Sequence, residues 1–297
     1  MKIAIIGAGG VGGYLGAKLI KSSMSEVKIF VKEKQRKVIE KNGLKIIDGD
    51  EKFVVKPDLS PPFEGEIFDA VFIGVKSYDL KSACEEINRY VNERSLIVPL
   101  LNGVAHKERI RRYLPKAVVC HGCVYVVSHQ KSEGVIVNKS SLFYLIFGDK
   151  KITSKMRELE ELLKKSYLKC KLSETAHYEC WKKYLFISTF ATMTSYFDEP
   201  MDLIYKKYPD ILYEVLHEVK RVANVLEVPI NESDIQKVIK QAENLTSNSK
   251  TSMQLDFEKG RKTELDSLCG YIVKAAKERN IEINRMQKMY EALKKRI

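Results

Sequence analysis

Residues 1–16 read MKIAIIGAGGVGGYLG, and the order of these residues decides the fold. Lys2–Ile6 is a short apolar run of strand character. Gly7, Gly9 and Gly12 follow it in G-x-G-x-x-G spacing, and Val11–Ser22 then reads as a helix. A strand, a glycine turn and a helix in that order predict a loop that receives a dinucleotide. Gly7 allows the tight turn, Gly9 lets main chain approach a pyrophosphate, and Gly12 lets the helix pack closely on the sheet. The pyrophosphate meets the unbonded N–H groups and positive end of the helix. Gly7, Ala8, Gly9, Gly10, Val11 and Gly12 are therefore the expected cofactor-binding loop.

Outward from this loop, strand-like and helix-like segments alternate. Val27–Val31 is a second strand and Lys34–Asn42 a second helix, followed by a short β region at Leu44–Ile47 and Lys52–Val55. Asp69–Val75 and Ser95–Leu101 are continuous apolar runs, as expected of strands covered on both faces. Asp79–Val91 and Ala105–Leu114 read as helices, Ala117–Ser128 and Leu142–Phe147 as strands, and Ser154–Lys165 as a closing helix. This rhythm predicts an α/β domain with a Rossmann-type doubly wound, mostly parallel sheet. From about Thr175 helical periodicity dominates and glycine becomes rare. The expected domains are 1–174, which binds the nucleotide, and 175–297, which is all helical and carries substrate and catalytic groups.

Composition narrows the function. The 297 residues carry 51 Lys+Arg against 39 Asp+Glu, a formal charge of +12, with 44% hydrophobic residues and 6 Cys. That profile excludes a disordered chain, a fibrous repeat and a small disulfide scaffold. The cations recur along helices among acidic neighbours rather than in one arm, so a solvated surface is expected and nucleic acid is not. No apolar run approaches the roughly 18 residues of a membrane span. A cytoplasmic protein with reduced thiols is expected.

The residue closing the second strand, roughly 20 positions past the glycines, selects between nucleotides. The chain reads Phe30-Val31-Lys32-Glu33-Lys34 there. Lys32, with Lys34 and Arg36 nearby, suits a 2′-phosphate and hence NADP. If the Glu33 carboxylate faces the ribose instead, NAD is the cofactor.

Further segments carry a resemblance. Val75-Lys76-Ser77-Tyr78-Asp79, Leu101-Asn102-Gly103, Trp181-Lys182-Lys183, Ser252-Met253 and Thr263-Glu264-Leu265-Asp266 occur in this order behind the glycine loop. From residue 3 to about 280 the chain resembles the ketopantoate reductases (2-dehydropantoate 2-reductases). The resemblance implies a Rossmann domain followed by a helical domain, with the site in the cleft between them. It implies NADPH-dependent reduction of ketopantoate to pantoate, in pantothenate and coenzyme A biosynthesis. It also implies that Lys183 is catalytic and that Asn102 touches nicotinamide and substrate. Lys76 would line the cofactor cleft, Glu264 would lie near the nicotinamide ribose and Lys183, and Ser252 would bind the substrate carboxylate.

The chemistry is consistent with those positions. Hydride addition to a ketone places negative charge on oxygen, which an ammonium can stabilise and protonate. Lys183 is the expected general acid, Asn102 a donor to the same oxygen, and Glu264 the group that keeps Lys183 charged. The family's asparagines four and eight residues beyond the lysine are replaced by Ile187 and Ala191. Ser188, Thr189, Thr192 and Thr194 are expected to face elsewhere. A different, more hydrophobic 2-oxo acid is therefore an alternative substrate, and a non-catalytic NADP-binding regulator an alternative role. The expected partners are a small 2-oxo acid and no membrane, with a homodimer as an option. No metal is expected: Cys120 and Cys123 form a C-x-x-C without a second pair of ligands. Cys84 is expected to be a buried small residue.

Overall fold

In the computed structural model, which describes all 297 residues, alternate residues of β1 (Lys2–Ile6) enter two different apolar clusters. Ile3 and Ile5 join one, Ala4 and Ile6 the other. A strand buried on both faces needs cover on both sides, and the chain divides accordingly into helices on either side of a parallel sheet. The chain forms two units: Met1–Leu101 with His106–His177, and Asn102–Ala105 with Tyr178–Ile297.

In the first unit β1 leads into α1 (Gly10–Ser22), β2 (Glu26–Phe30) and α2 (Glu33–Asn42). A hairpin of β3 (Leu44–Asp48) and β4 (Glu51–Val55) intervenes before β5 (Ala70–Ile73) and α3 (Leu80–Ile87). The run predicted as one helix over 79–91 is a 3₁₀ turn at Ser77–Asp79, then α3, then a second 3₁₀ turn at Asn88–Tyr90. Next come β6 (Leu96–Pro99), α4 (His106–Tyr113) and β7 (Val118–Val119). The parallel sheet has the order β2-β1-β5-β6-β7, so the chain reverses direction across the sheet between β1 and β5. Such a switch point opens a crevice at the carboxyl ends of the strands.

A second sheet was not foreseen. The strand predicted at 117–128 is two elements in two sheets: β7 pairs with β6, whereas β8 (His121–Ser132) pairs antiparallel with β9 (Val135–Gly148). β9 also pairs in parallel with β3 and, after α5 (Ser154–Lys165), with β10 (Lys169–Leu172). Tyr14 ties α1 to this layer: its hydroxyl donates to Asp48 Oδ2 at 2.8 Å.

The second unit is helical: α6 (Ala176–Phe197, from Tyr178 on), α7 (Met201–Lys207), α8 (Pro209–Val225), α9 (Glu232–Glu243), α10 (Ser252–Glu258), α11 (Leu265–Glu278) and α12 (Asn284–Lys294). Polar side chains close its helix starts. Buried Glu218 accepts from the backbone N–H groups of Arg285 and Met286 at 2.8 and 2.7 Å. Asn231 and Asp234 form a reciprocal capping box on α9. No helix is long and apolar enough to cross a membrane.

Two expectations follow. A Cβ on Gly12 would sit 2.2 Å from the carbonyl oxygen of Gly7, whereas one on Gly9 would meet nothing within 4 Å. Gly12→Ala should cost about 1–3 kcal/mol or more through forced backbone movement, while Gly9→Ala melts close to the parent in a thermal scan. The second concerns acid. His121 is buried and stacks on His177 at 4.5 Å between ring centres. Burial, then the charge of Lys107 and the neighbouring His177, pull its pKa from 6.5 down to about 3, against Asp149. The unfolded chain therefore binds the extra proton between pH 6.5 and 3, and stability falls as pH drops through that window. Urea midpoints at pH 7 and pH 5 should differ less in His121→Gln than in the parent.

Candidate functional site

Gly7 ends β1 at φ +97°, a backbone conformation that glycine adopts without strain, and donates its N–H to Phe30 O at 2.9 Å. Gly9 is the N-cap of α1, extended and without a side-chain cap, and no acidic residue stands in the first turn. The helix's own bonds begin with Gly13 N–H to Gly9 O at 2.9 Å. Open space over Gly9 thus adjoins the positive end of an uncapped helix. Around it the backbone is packed as tightly as it can be. A Cβ on Gly74, just beyond β5, would lie 3.1 Å from Gly12 Cα, and one on Gly10 would lie 2.8 Å from Ser128 O. These features fit a dinucleotide pyrophosphate, which needs close main-chain approach and no competing carboxylate.

Beyond β2, Lys32 is the N-cap residue of α2, and its Nζ lies 2.8 Å from Asp79 Oδ2. That hydrogen bond is the main cause of the raised Lys32 pKa. The Glu33 carboxylate instead lies along its own helix, 3.9 Å from Arg36 and 3.7 Å from Lys37. Lys76 stands half-buried at the start of the turn that carries Asp79, whose N–H donates to Lys76 O at 2.9 Å. Two residues near the loop had no role assigned from sequence: Asp79, visible only as the end of a motif, and Gln35, whose Nε2 reaches Ala8 O at 3.3 Å. Gln35 sits within a charged helical run that gives no sign of this contact.

In the second unit Lys183 Nζ donates to Asn102 Oδ1 at 2.8 Å. Asn102 lies in the four-residue segment that groups with the helices, so residues 81 apart in sequence meet within one unit. Accepting through Oδ1 fixes the amide so that its NH₂ is the end able to donate to a substrate oxygen. The turn bearing Lys183 is held by aromatic packing: Trp181 lies 5.5 Å from Tyr184 and 6.1 Å from Tyr271, centre to centre. The Tyr184 hydroxyl donates to the carbonyl of Leu268, which docks the first turns of α11 on α6. Glu264 is buried at the N-cap of that α11 and makes no side-chain capping bond.

Ser252 is exposed at the first position of α10, and Thr251 supplies the cap. Thr251 Oγ1 pairs with Thr194 Oγ1 at 2.8 Å. Thr194 is three turns beyond Lys183, about 20° from it around the helix. The expectation that Thr194 faces elsewhere is thus corrected: the Lys183 face runs through Ile187 and Ala191 and ends at the start of α10. Ser188 and Thr192 turn inward and donate to the carbonyls of Tyr184 and Ser188, both at 2.7 Å.

Cys120 and Cys123 are buried at the β7–β8 junction rather than at a helix start. Burial pushes the thiols of Cys120 and Cys84 up to about 12, which keeps them protonated and unreactive. No three His, Cys, Asp or Glu side chains are grouped to hold a metal.

Comparison with known proteins agrees with this geometry. Residues 3–150 match the family model described as ketopantoate reductase PanE/ApbA, and residues 176–296 its C-terminal counterpart. The chain is similar to an uncharacterized oxidoreductase, YkpB, of Bacillus subtilis: 29% identical over 99% of this chain and 98% of that one. It is 26% identical to a 2-dehydropantoate 2-reductase of Lactococcus lactis, covering 95% of this chain and 93% of the relative. A PanE/ApbA family ketopantoate reductase structure from Ralstonia eutropha superposes with a TM-score of 0.92 at 22% identity, over 100% and 98% of the two chains. The chain is an oxidoreductase and belongs to the ketopantoate reductase PanE/ApbA family.

Proposed function

We propose that this chain reduces a 2-oxo acid with NADPH, and that 2-dehydropantoate is its substrate. The product would be pantoate, for pantothenate and coenzyme A biosynthesis. The observation that carries the reading is the 2.8 Å contact between Lys183 and Asn102, a cation and an amide joined in one small polar group. When bound, the reduced nicotinamide supplies a hydride to the substrate ketone. Lys183 stabilises the oxygen on which charge develops and delivers its proton there. Asn102 accepts from Lys183, which orients the ammonium, and donates to the same oxygen. Buried Glu264 favours the charged form of a nearby ammonium, and Ser252 meets the substrate carboxylate. Lys32 binds the 2′-phosphate, a role favoured by the engagement of Glu33 along α2. Ile187 and Ala191 favour a second reading, a 2-oxo acid with a more hydrophobic side chain. Each missing amide donor would weaken binding of a polar substrate by about 1–3 kcal/mol.

Loss of NADPH absorbance with 2-dehydropantoate and a panel of branched 2-oxo acids separates these readings. Turnover of 2-dehydropantoate above the panel supports the first; turnover confined to apolar 2-oxo acids supports the second; oxidation of NADPH by none of them overturns both. Lys183→Ala should lower kcat by about two orders of magnitude or more, an electrostatic loss of about 3 kcal/mol, with NADPH affinity little changed. Near-parental turnover would remove Lys183 from the chemistry. Lys32→Ala should weaken NADPH by about tenfold or more and NADH far less. Equal losses would contradict phosphate recognition.

A further inference from the structure

Three of the cations that follow β2 pair with acids from different parts of the unit. Lys34 reaches Glu133 at 3.3 Å, Arg36 lies 3.9 Å from Glu33 and 3.7 Å from Glu40, and Lys32 meets Asp79 at 2.8 Å. Glu133 stands in the β8–β9 turn and Glu33 on α2 itself. Asp79 alone comes from the segment behind β5. Because β2 and β5 flank β1 on opposite sides, the Lys32–Asp79 pair spans the carboxyl end of the strand that feeds the glycine loop. With neighbouring strands about 4.8 Å apart, that span is about 10 Å. A nucleotide running from the glycine loop to the end of β2 must pass this pair.

Asp79 is also the N-cap residue of α3, where a carboxylate ordinarily accepts from the first-turn N–H groups. It makes no such bond, and its carboxylate is turned to Lys32. The Lys32 side chain is 78% exposed, so the attraction is screened and readily exchanged for a stronger anion.

We propose that Asp79 is the counter-ion that restrains discrimination between NADPH and NADH, by holding Lys32 until a 2′-phosphate displaces it and by repelling that phosphate once it is bound. This rests on the nicotinamide-dependent reading above. A phosphate monoester brings nearly two negative charges at neutral pH, whereas the 2′-hydroxyl of NADH brings none. The Asp79 charge therefore weighs on one cofactor and scarcely on the other. Asp79 is a positioning residue here, acting through Lys32.

Asp79→Asn removes the charge while keeping side-chain size and capping competence. The full chain would be titrated with NADPH and NADH by nucleotide fluorescence, and with adenosine 2′,5′-bisphosphate and ADP by calorimetry. Asp79→Asn is expected to bind NADPH and the bisphosphate about three- to tenfold more tightly, with NADH and ADP changed by less than about twofold. Asp79→Glu should stay near the parent, and the gain should shrink in a Lys32→Ala background. An equal change for both cofactors, no change, or weaker NADPH binding would overturn the inference. Failure of the parent chain to bind any dinucleotide would remove the cofactor reading itself, and this inference with it.

Discussion

The close approach of α1 to the ends of β1 and β5 is the constraint on which the first unit depends. Gly12 has no room for a Cβ against the Gly7 carbonyl, and Gly74 hardly more against Gly12. This contact brings the positive end of α1 to the mouth of the sheet, where the crevice opens. It also sets how closely α1 lies against Ile136 and the second sheet, since a Cβ on Gly13 would reach the Ile136 side chain. One backbone approach therefore serves packing and leaves the helix start open to an anion, and it needs no side chain to do either.

The second unit works by the opposite means. Its candidate chemistry resides in side chains whose positions are set by buried packing. Trp181 and Tyr184 are nearly inaccessible, at 1% exposure each, and they hold the turn that carries Lys183. Lys183 itself remains half-buried, with its ammonium held by Asn102. Glu264 is buried at the start of α11 and Asn102 is engaged by Lys183, so polar groups as well as aromatics are packed in this unit.

The glycine loop, the parallel strands and the helical second half were legible in the sequence because each is a local signal: spacing, apolar continuity, periodicity. What was not legible depends on distant pairing. The run from Ala117 to Ser128 is evenly apolar, yet Cys120 N–H bonds to Ile97 O while His121 pairs with Gly148, and the strand breaks between sheets. Composition cannot show which partner takes each residue. The same holds for residues 102–105, a turn by their glycine and asparagine, whose grouping with the helices comes from tertiary contact. In the candidate site, Lys183 and Asn102, both read from motifs, lie 2.8 Å apart, whereas Thr194 faces the way the sequence reading did not expect. Eleven residues is a near-integral number of helical turns, a relation missed when only spacings of four and eight are considered.

Backbone recognition and side-chain discrimination differ in how readily they can change. In the proposed function the pyrophosphate would be held by a loop whose Gly12 the fold itself requires, so altering that position endangers the unit. The proposed choice between cofactors would rest on the charges of exposed Lys32 and half-buried Asp79, which support little of the core. On α6 the face that carries Lys183 also carries half-buried Ile187 and buried Ala191. A chain of this architecture can thus keep its sheet and its helical unit while the charges beyond β2 and the side chains on the Lys183 face change by single substitutions. In the proposed function, Ile187 and Ala191 on the Lys183 face favour an acid with an apolar side chain over one with a polar side chain.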